Sequence, residues 1–541
     1  MKNGEGYKSS RRTFLKTLGV LAVGASFMQS CAKKVKSLAV KLTGTSHILG
    51  HRLWAKDFPK PTRTIFIPYL IVGGGITGLS AARQFRKKGI HDFLLLELEG
   101  HLGGNSSNGE NLYSKYPLGA HYLPLPNFHD KELITFLEEE KIITGYNNSG
   151  HPVFDEEQLT FSPQERLFYK NTWQDGLVPR YGISEKGEDE FEHFFKLMDA
   201  FKNEKGFDGK YFFDIPVLLC TADDKLKYLD TLSMEQWLVA EGFTVEEVFE
   251  YIDYCCRDDF GLGIKYISAW AGIHYFAARK HNYGNDKENV LTWPEGNARL
   301  ASHLKKYSEG KVLSNCIVFD VLTEVNRVVV KAYDAVAKET LLIETDKIVM
   351  ATPQFVNGYI FNERKQLSKK FTYAPWLLAT ITLNDLPDDY SRPLSWDNVI
   401  YKGNGLGYIY DQHQSLRQVQ NKKVITYYHA FSCDNVAKKR KEIYKQPQDY
   451  WKTFVFNDLK KAHPDIEFFA EDVTVHILGH GMISPTVGFM FNPAKQNAAQ
   501  PVDNKIYFAH SDLSGISIFE EAFHQGINVV NQLLHDSALD T

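Results

Sequence analysis

The stretch Tyr69-Leu70-Ile71-Val72-Gly73-Gly74-Gly75-Ile76-Thr77-Gly78 decides the fold of this 541-residue chain. Four residues of strand character run into glycines, and residues 76–88 then carry helical character. Phe93–Leu96 is a continuous apolar run, the pattern of a strand buried on both faces. Strand, helix and strand in that order make a parallel βαβ unit. Pro68 stands at the start of the first strand, where a missing N–H donor is tolerated. Within the turn, Gly73, Gly75 and Gly78 form G-x-G-x-x-G. The first glycine permits the tight turn, the second lets a pyrophosphate approach the backbone, and the third lets the helix pack on the strand. The helix N-terminus then faces the negative charge. Glu97 ends the next strand, 97 − 78 = 19 residues after the last glycine, where a carboxylate accepts hydrogen bonds from ribose hydroxyls. The unit is expected to bind a dinucleotide.

Outward from this unit, residues 130 to about 290 read as mostly helical, for example at 188–202 and 233–241. Residues 312–321, 328–333 and 341–350 read as three strands. Residues 371–480 mix strands with a helix near 448–462, and the chain closes with a strand at 505–509 and a helix over about 519–534. The length predicts two or three domains. Apolar residues at 43% and charged residues at 24% are ordinary globular composition. With 62 basic against 66 acidic residues the net charge is −4, which gives no basis for binding nucleic acid or an anionic membrane surface. Aromatics at 13% suit an aromatic-lined cavity or an aromatic-rich core. The six cysteines, Cys31, Cys220, Cys255, Cys256, Cys316 and Cys433, form no C-x-x-C pair, and the adjacent Cys255 and Cys256 read as two separate core thiols. No metal site is expected.

The N-terminal stretch reads as an address. Ser10-Arg11-Arg12-Thr13-Phe14-Leu15-Lys16 precedes an uncharged run over residues 17–28, too short to span a bilayer and of the length of a signal core. The paired arginines resemble the twin-arginine export signal, which implies the export machinery as a partner and a periplasmic or cell-envelope location. Ser30-Cys31 resembles a lipoprotein cleavage site, leaving two fates open, release or a lipid anchor at Cys31. Residues 32–64 read as a tether or an embellishment of the first domain.

The segment Glu97-Leu98-Glu99-Gly100-His101-Leu102-Gly103-Gly104 resembles the second glycine motif of the flavin amine oxidase superfamily, which includes amine oxidases, phytoene-desaturase-like enzymes and protoporphyrinogen oxidases. The resemblance implies FAD, with Gly103 and Gly104 beside its diphosphate, and Asn105 stands where relatives carry an arginine. Tyr116-Pro117-Leu118-Gly119-Ala120-His121 is similar to the segment passing the isoalloxazine. Trp293-Pro294-Glu295-Gly296-Asn297 resembles a turn before a helix, and Asn315-Cys316-Ile317-Val318 the strand meeting the adenine. Ile348-Val349-Met350-Ala351-Thr352-Pro353 resembles the strand and turn that close the dinucleotide sheet. Tyr507-Phe508-Ala509-His510-Ser511-Asp512 resembles the last strand, whose acid binds the ribityl chain, and the helix from Phe519 would aim its amides at the flavin pyrimidine. The implied fold is α/β, a Rossmann-like FAD-binding domain of glutathione-reductase type (65–125, 291–358, 486–541) interleaved with a mixed α+β substrate domain (126–290, 359–485). Cofactor contacts are expected from Gly73, Gly75, Gly78, Glu97, Gly103, Gly104, Asn105, Gly119, Val318, Ala351, Asp512 and Phe519.

The implied activity is that of an exported FAD-dependent oxidoreductase. It takes a hydride from a small-molecule amine, polyamine or related CH–XH substrate and passes electrons to oxygen, a quinone or a redox protein. The alternatives are a desaturase or isomerase of an apolar substrate, and a non-catalytic FAD-holding protein. The segment around residues 376–386, where relatives place a lysine at flavin N5, contains none; this favours a dehydrogenase over an oxidase, with Lys265 as a substitute from another segment. His121, beside the flavin-lining segment, and His274, in an aromatic run, are the candidate catalytic residues. His274 and His480 also fit ordinary core and loop histidines. Arg257-Asp258-Asp259 fits a solvated charged surface better than a buried ion network or a polycation site, and Glu520 and Glu521 fit either a cation site or helix N-terminal charge.

Overall fold

A computed structural model describes residues 38–280, 289–386, 392–416 and 422–539. The arginine pair and Cys31 lie outside the described residues. The expected βαβ unit forms as Tyr69–Val72, Ile76–Lys87 and Phe93–Leu96. It sits in a five-stranded sheet ordered Val312–Leu313, Phe93–Leu96, Tyr69–Val72, Lys347–Met350 and Ile506–Phe508, every pairing parallel. Side chains alternate between two cores. Ile71, Leu95, Val349 and Tyr507 pack with the helices Ile76–Lys87 and Phe519–Leu539. Leu70, Val72, Leu96, Met350 and Phe508 face the opposite core. Covering both faces explains why these strands read as unbroken apolar runs. The two helices lie close, because a Cβ on Gly526 would fall 2.3 Å from Thr77 O.

A four-stranded sheet on the other face consists of Cys316–Thr323, Val328–Asp334, Glu339–Thr345 and Pro61–Phe66. An eight-stranded mixed sheet runs from Val40–Gly44 through Ala470–Ile483, Tyr373–Leu383 and Lys423–Ala430 to Gly407–Tyr410, Asp397–Ile400, Glu165–Tyr169 and Thr172–Asp175. All eleven residues of Tyr373–Leu383 are buried. The helices Glu185–Asn203, Met234–Ala240, Glu246–Phe260 and Ala269–Ala277 complete this half.

Three local expectations change. Residues 143–175, expected within a helical region, hold four strands. The strand expected at 341–350 divides at Asp346, where Asp346 and Lys347 both donate to Pro68 O and the chain passes from one sheet to another. The strand expected at 312–321 divides at Asn315, which adopts φ +55° and donates to Glu99 O. The segment read as a tether or an embellishment is built into two sheets: Val40–Gly44 pairs with Ala470–Ile483, and Pro61–Phe66 with Glu339–Thr345. All five described cysteines are free thiols.

Candidate functional site

The glycine loop explains itself sterically. Gly73 adopts φ +103°, and a Cβ there would lie 2.4 Å from Ala351 O; one on Gly78 would lie 1.9 Å from Gly73 O. Gly75 differs. A Cβ there meets nothing nearer than Gly104 Cα at 4.0 Å, so the protein leaves room that a ligand would fill. No side chain caps the Ile76–Lys87 helix, whose first N–H groups are thereby left for an anion. The second glycine motif is tied to the first: Gly103 N donates to Gly74 O at 2.9 Å, and Gly75 bridges Gly103. Gly103 and Gly104 hold φ of +122° and +57°, backbone that favours glycine.

Of the twelve expected cofactor residues, all but Gly78 line one cavity of about 1180 Å³. Gly78 does the packing expected of it instead. A single small-molecule pocket is roughly 300–1,000 Å³, so the cavity has room for a dinucleotide and a substrate together. Two expected contacts carry further duties. Glu97, expected to meet a ribose, also holds the loops: it accepts from Gly74 N at 2.6 Å and Glu99 N at 2.8 Å. Burial raises its pKa against those hydrogen bonds. Asp512 accepts from Gln354 N at 2.8 Å and Tyr373 Oη at 2.5 Å, with His510 Nδ1 at 3.0 Å. Burial pushes its pKa up, but His510 and these donors hold it below the usual carboxylate value. A carboxylate has about four acceptor sites, so both retain capacity for a ligand hydroxyl. Asn105 donates to Gly481 O.

The substrate side departs further from expectation. His121 lines the cavity beside Tyr428 and Trp396, with ring centroids 4.6 and 5.7 Å away. Burial lowers its pKa to about 3, so it serves as a neutral ring. His274 does not line the cavity. Its Nε2 lies 3.0 Å from Asp214 O and it stacks on Trp270, because the helix Ala269–Ala277 turns that face into the core and presents Tyr275 instead. Lys265 is exposed and pairs with Asp434 at 3.3 Å, outside the cavity. His480 belongs to a strand, lines the cavity and stacks 3.9 Å from Phe355.

Asp258 and Asp259 overturn the solvated-surface expectation. Both lie at the C-terminal end of Glu246–Phe260 and line the cavity, as do Asp397 and Glu165. Tyr122 Oη donates to Asp258 at 3.3 Å and Tyr254 Oη to Asp397 at 3.2 Å. Burial pushes Asp258 up to about 6; burial and then the charge of Asp258 push Asp259 up to about 8. Asp397 is also raised, by burial first and then by Glu165 and Asp258. Arg257 of the triplet pairs with Asp253 at 2.8 Å. Glu520 pairs with Arg279 at 2.7 Å on the cavity wall, and Glu521 accepts from Val217 N at 2.6 Å off it. Tyr428, 4% exposed, lines the cavity with its hydroxyl unpartnered among the described residues. The sequence signal for these acids was the 3–4 residue spacing of Tyr251, Tyr254, Cys255 and Asp258, which sets them on one helix face.

Comparison with known proteins agrees with this geometry. The NAD(P)-binding Rossmann-like domain family matches residues 71–139. A flavin-containing amine oxidase of Oncorhynchus mykiss is 28% identical over 114 residues, 19% of this chain and 22% of that protein. A redesigned putrescine oxidase superposes with TM-score 0.65 at 15% identity, covering 87% of this chain and all of that one. A fatty acid isomerase from P. acnes that produces CLA superposes at 0.61 with 13% identity, covering 86% and 98%. The chain has the fold of the flavin-dependent amine oxidases, a mixed α/β architecture built on a Rossmann-like FAD-binding domain.

Proposed function

We propose that this protein is an exported FAD-dependent oxidoreductase that oxidises a small cationic amine, best a diamine or polyamine. The observation that carries the reading is the cluster of Asp258, Asp259 and Asp397 in the cavity wall. Buried carboxyls that repel one another stay partly protonated, and a bound cation relieves that cost. The amine oxidase relative and the putrescine oxidase fold support it.

FAD would be held by the two glycine motifs, Glu97 and Asp512, and when bound it supplies a two-electron acceptor for a C–H hydride. The chain's own residues do the rest. The acids hold a distal ammonium, which fixes the reacting carbon by its distance from that charge. Neutral His121 accepts or donates one hydrogen bond without adding a positive charge that would repel the substrate. Tyr122, Trp396 and Tyr428 wall the site and exclude water. An apolar substrate, as in the desaturase or isomerase reading, would give the mutually repelling carboxyls no cation to relieve them and would bury polar groups against its own apolar surface, which disfavours it.

No lysine lies in Tyr373–Leu383, and we take this to favour a quinone or redox-protein acceptor over oxygen. The arginine pair and Cys31 support export and, through lipidation, attachment near membrane acceptors. Steady-state turnover with an artificial dye across a monoamine, a diamine, a polyamine and a fatty acid tests the reading. The diamine or polyamine should show the highest kcat/KM, and the dye should outpace air-saturated buffer. Turnover confined to the fatty acid contradicts it.

A further inference from the structure

The cavity has a second charged region, away from the acids. Thr45, Ser46, His47, Gly50, His51 and Trp54, in and before the helix His47–Ala55, line the cavity beside the glycine loops. Arg440, Lys441 and Lys445, in and after the helix Val436–Ile443, line it next to them. The first helix meets the residue that ends the second: the rings of His47 and Tyr444 lie 4.8 Å apart.

Both are fastened to the dinucleotide cradle. Ser46 donates through N and Oγ to the Glu99 carboxylate at 2.8 and 2.6 Å, and Glu99 N donates to Glu97. Leu53 packs against Ile317 and Phe319 of the adjoining strand. Arg440 donates to Gly479 O at 2.6 Å and to Tyr373 O at 3.0 Å, while Asn105 donates to Gly481 O. Asn105, directly after the Gly103-Gly104 pair, and Arg440 therefore both hold backbone carbonyls of the strand Ala470–Ile483, two residues apart. On that strand, burial first and then the charges of Arg440 and His51 lower the pKa of His480.

The cradle itself is short of positive charge. Between Gly73 and Gly78, and between Glu97 and Asn105, there is no lysine or arginine, and there are two glutamates. A diphosphate seated there meets the helix N-terminus and backbone N–H groups but no cationic side chain of these two segments, so a cation on it would come from elsewhere in the chain. Arg279, also on the wall, is committed to Glu520.

We propose that the His47–Ala55 and Val436–Ile443 helices form a clasp over the dinucleotide end of the cavity, in which Arg440, with Lys441 and Lys445, supplies the positive charge for the cofactor diphosphate and the Ser46–Glu99 contact latches the N-terminal helix down. The clasp rests on the FAD reading above. It assigns the segment between the export signal and the first domain a role in cofactor retention, because cofactor release requires that helix to lift.

The test is the rate of FAD release from purified holoprotein, followed by the rise of free-flavin fluorescence on dilution. Arg440→Gln and Ser46→Ala should each release FAD about tenfold faster than wild type, with unchanged circular dichroism. The double variant Lys441→Ala with Lys445→Ala, whose side chains are solvent-exposed at both positions, should flatten the salt dependence of release. Arg440→Lys should restore most of the retention that Arg440→Gln loses. Release at the wild-type rate in both Arg440→Gln and Ser46→Ala overturns the clasp while leaving the FAD reading intact. Wild-type protein that carries no FAD on purification overturns the cofactor reading, and the clasp with it.

Discussion

Gly75 and Gly78 are three residues apart and serve opposite masters. A side chain at 78 collides with backbone inside the protein, whereas one at 75 enters only the space reserved for a ligand. Gly78→Val should therefore cost at least about 1–3 kcal/mol of stability as an overpacked contact. Gly75→Val should melt near wild type yet lose its FAD. Thermal melts and the visible flavin band of each purified variant check this; equal FAD content in the two contradicts it. Roles of this kind were legible in the sequence because they depend on the backbone of one short segment. The duties of Glu97 and Asp512 toward Gly74, Gln354 and Tyr373 were not, since those partners arrive from other parts of the chain.

The helix Glu246–Phe260 shows where local reading ends. Its charge triplet looked solvated because sequence spacing gives the face a residue occupies, not what covers that face. Burial by Tyr122 and Asp397, from distant segments, turns Asp258 and Asp259 into cavity acids. The strands in residues 143–175 escaped notice for the same reason: Glu165–Tyr169 is set by pairing with Asp397–Ile400, more than two hundred residues on. Two outcomes belong to this helix. Asp259→Asn should raise KM for a diamine about tenfold or more, the worth of a charged hydrogen bond of about 1.5–3 kcal/mol, with FAD retention unchanged. The second is a pH effect. The folded pKa of Asp259 is raised to about 8 from a usual 3.8, so its contribution to stability is present at low pH and is lost as pH rises from about 4 through about 8. The substrate-free Asp259→Asn variant should gain melting temperature relative to wild type at pH 8 and show little gain at pH 5. A difference that does not change with pH removes the assignment of Asp259 as a buried, strained acid.

At the scale of the whole molecule, the parallel sheet, the glycine motifs and the order of segments were legible because they recur in strict sequence along the chain. The integration of residues 40–66 into two sheets was not, since a short polar strand carries no signal until its partner is known. Export belongs to this scale as well. Arg11→Lys with Arg12→Lys should leave the protein folded and yellow in the cytoplasm, and cell fractionation that finds it in the envelope contradicts the twin-arginine reading. The central claim, an FAD enzyme whose acidic cavity takes a polycationic amine, meets its most direct test in anaerobic mixing of the purified yellow protein with a diamine. The account predicts that a stoichiometric diamine bleaches the visible flavin band, that a matched monoamine does so more weakly, and that Asp258→Asn narrows the gap between them. A flavin band that stays oxidised with every amine, or that bleaches equally with mono- and diamines in wild type and variant alike, contradicts it.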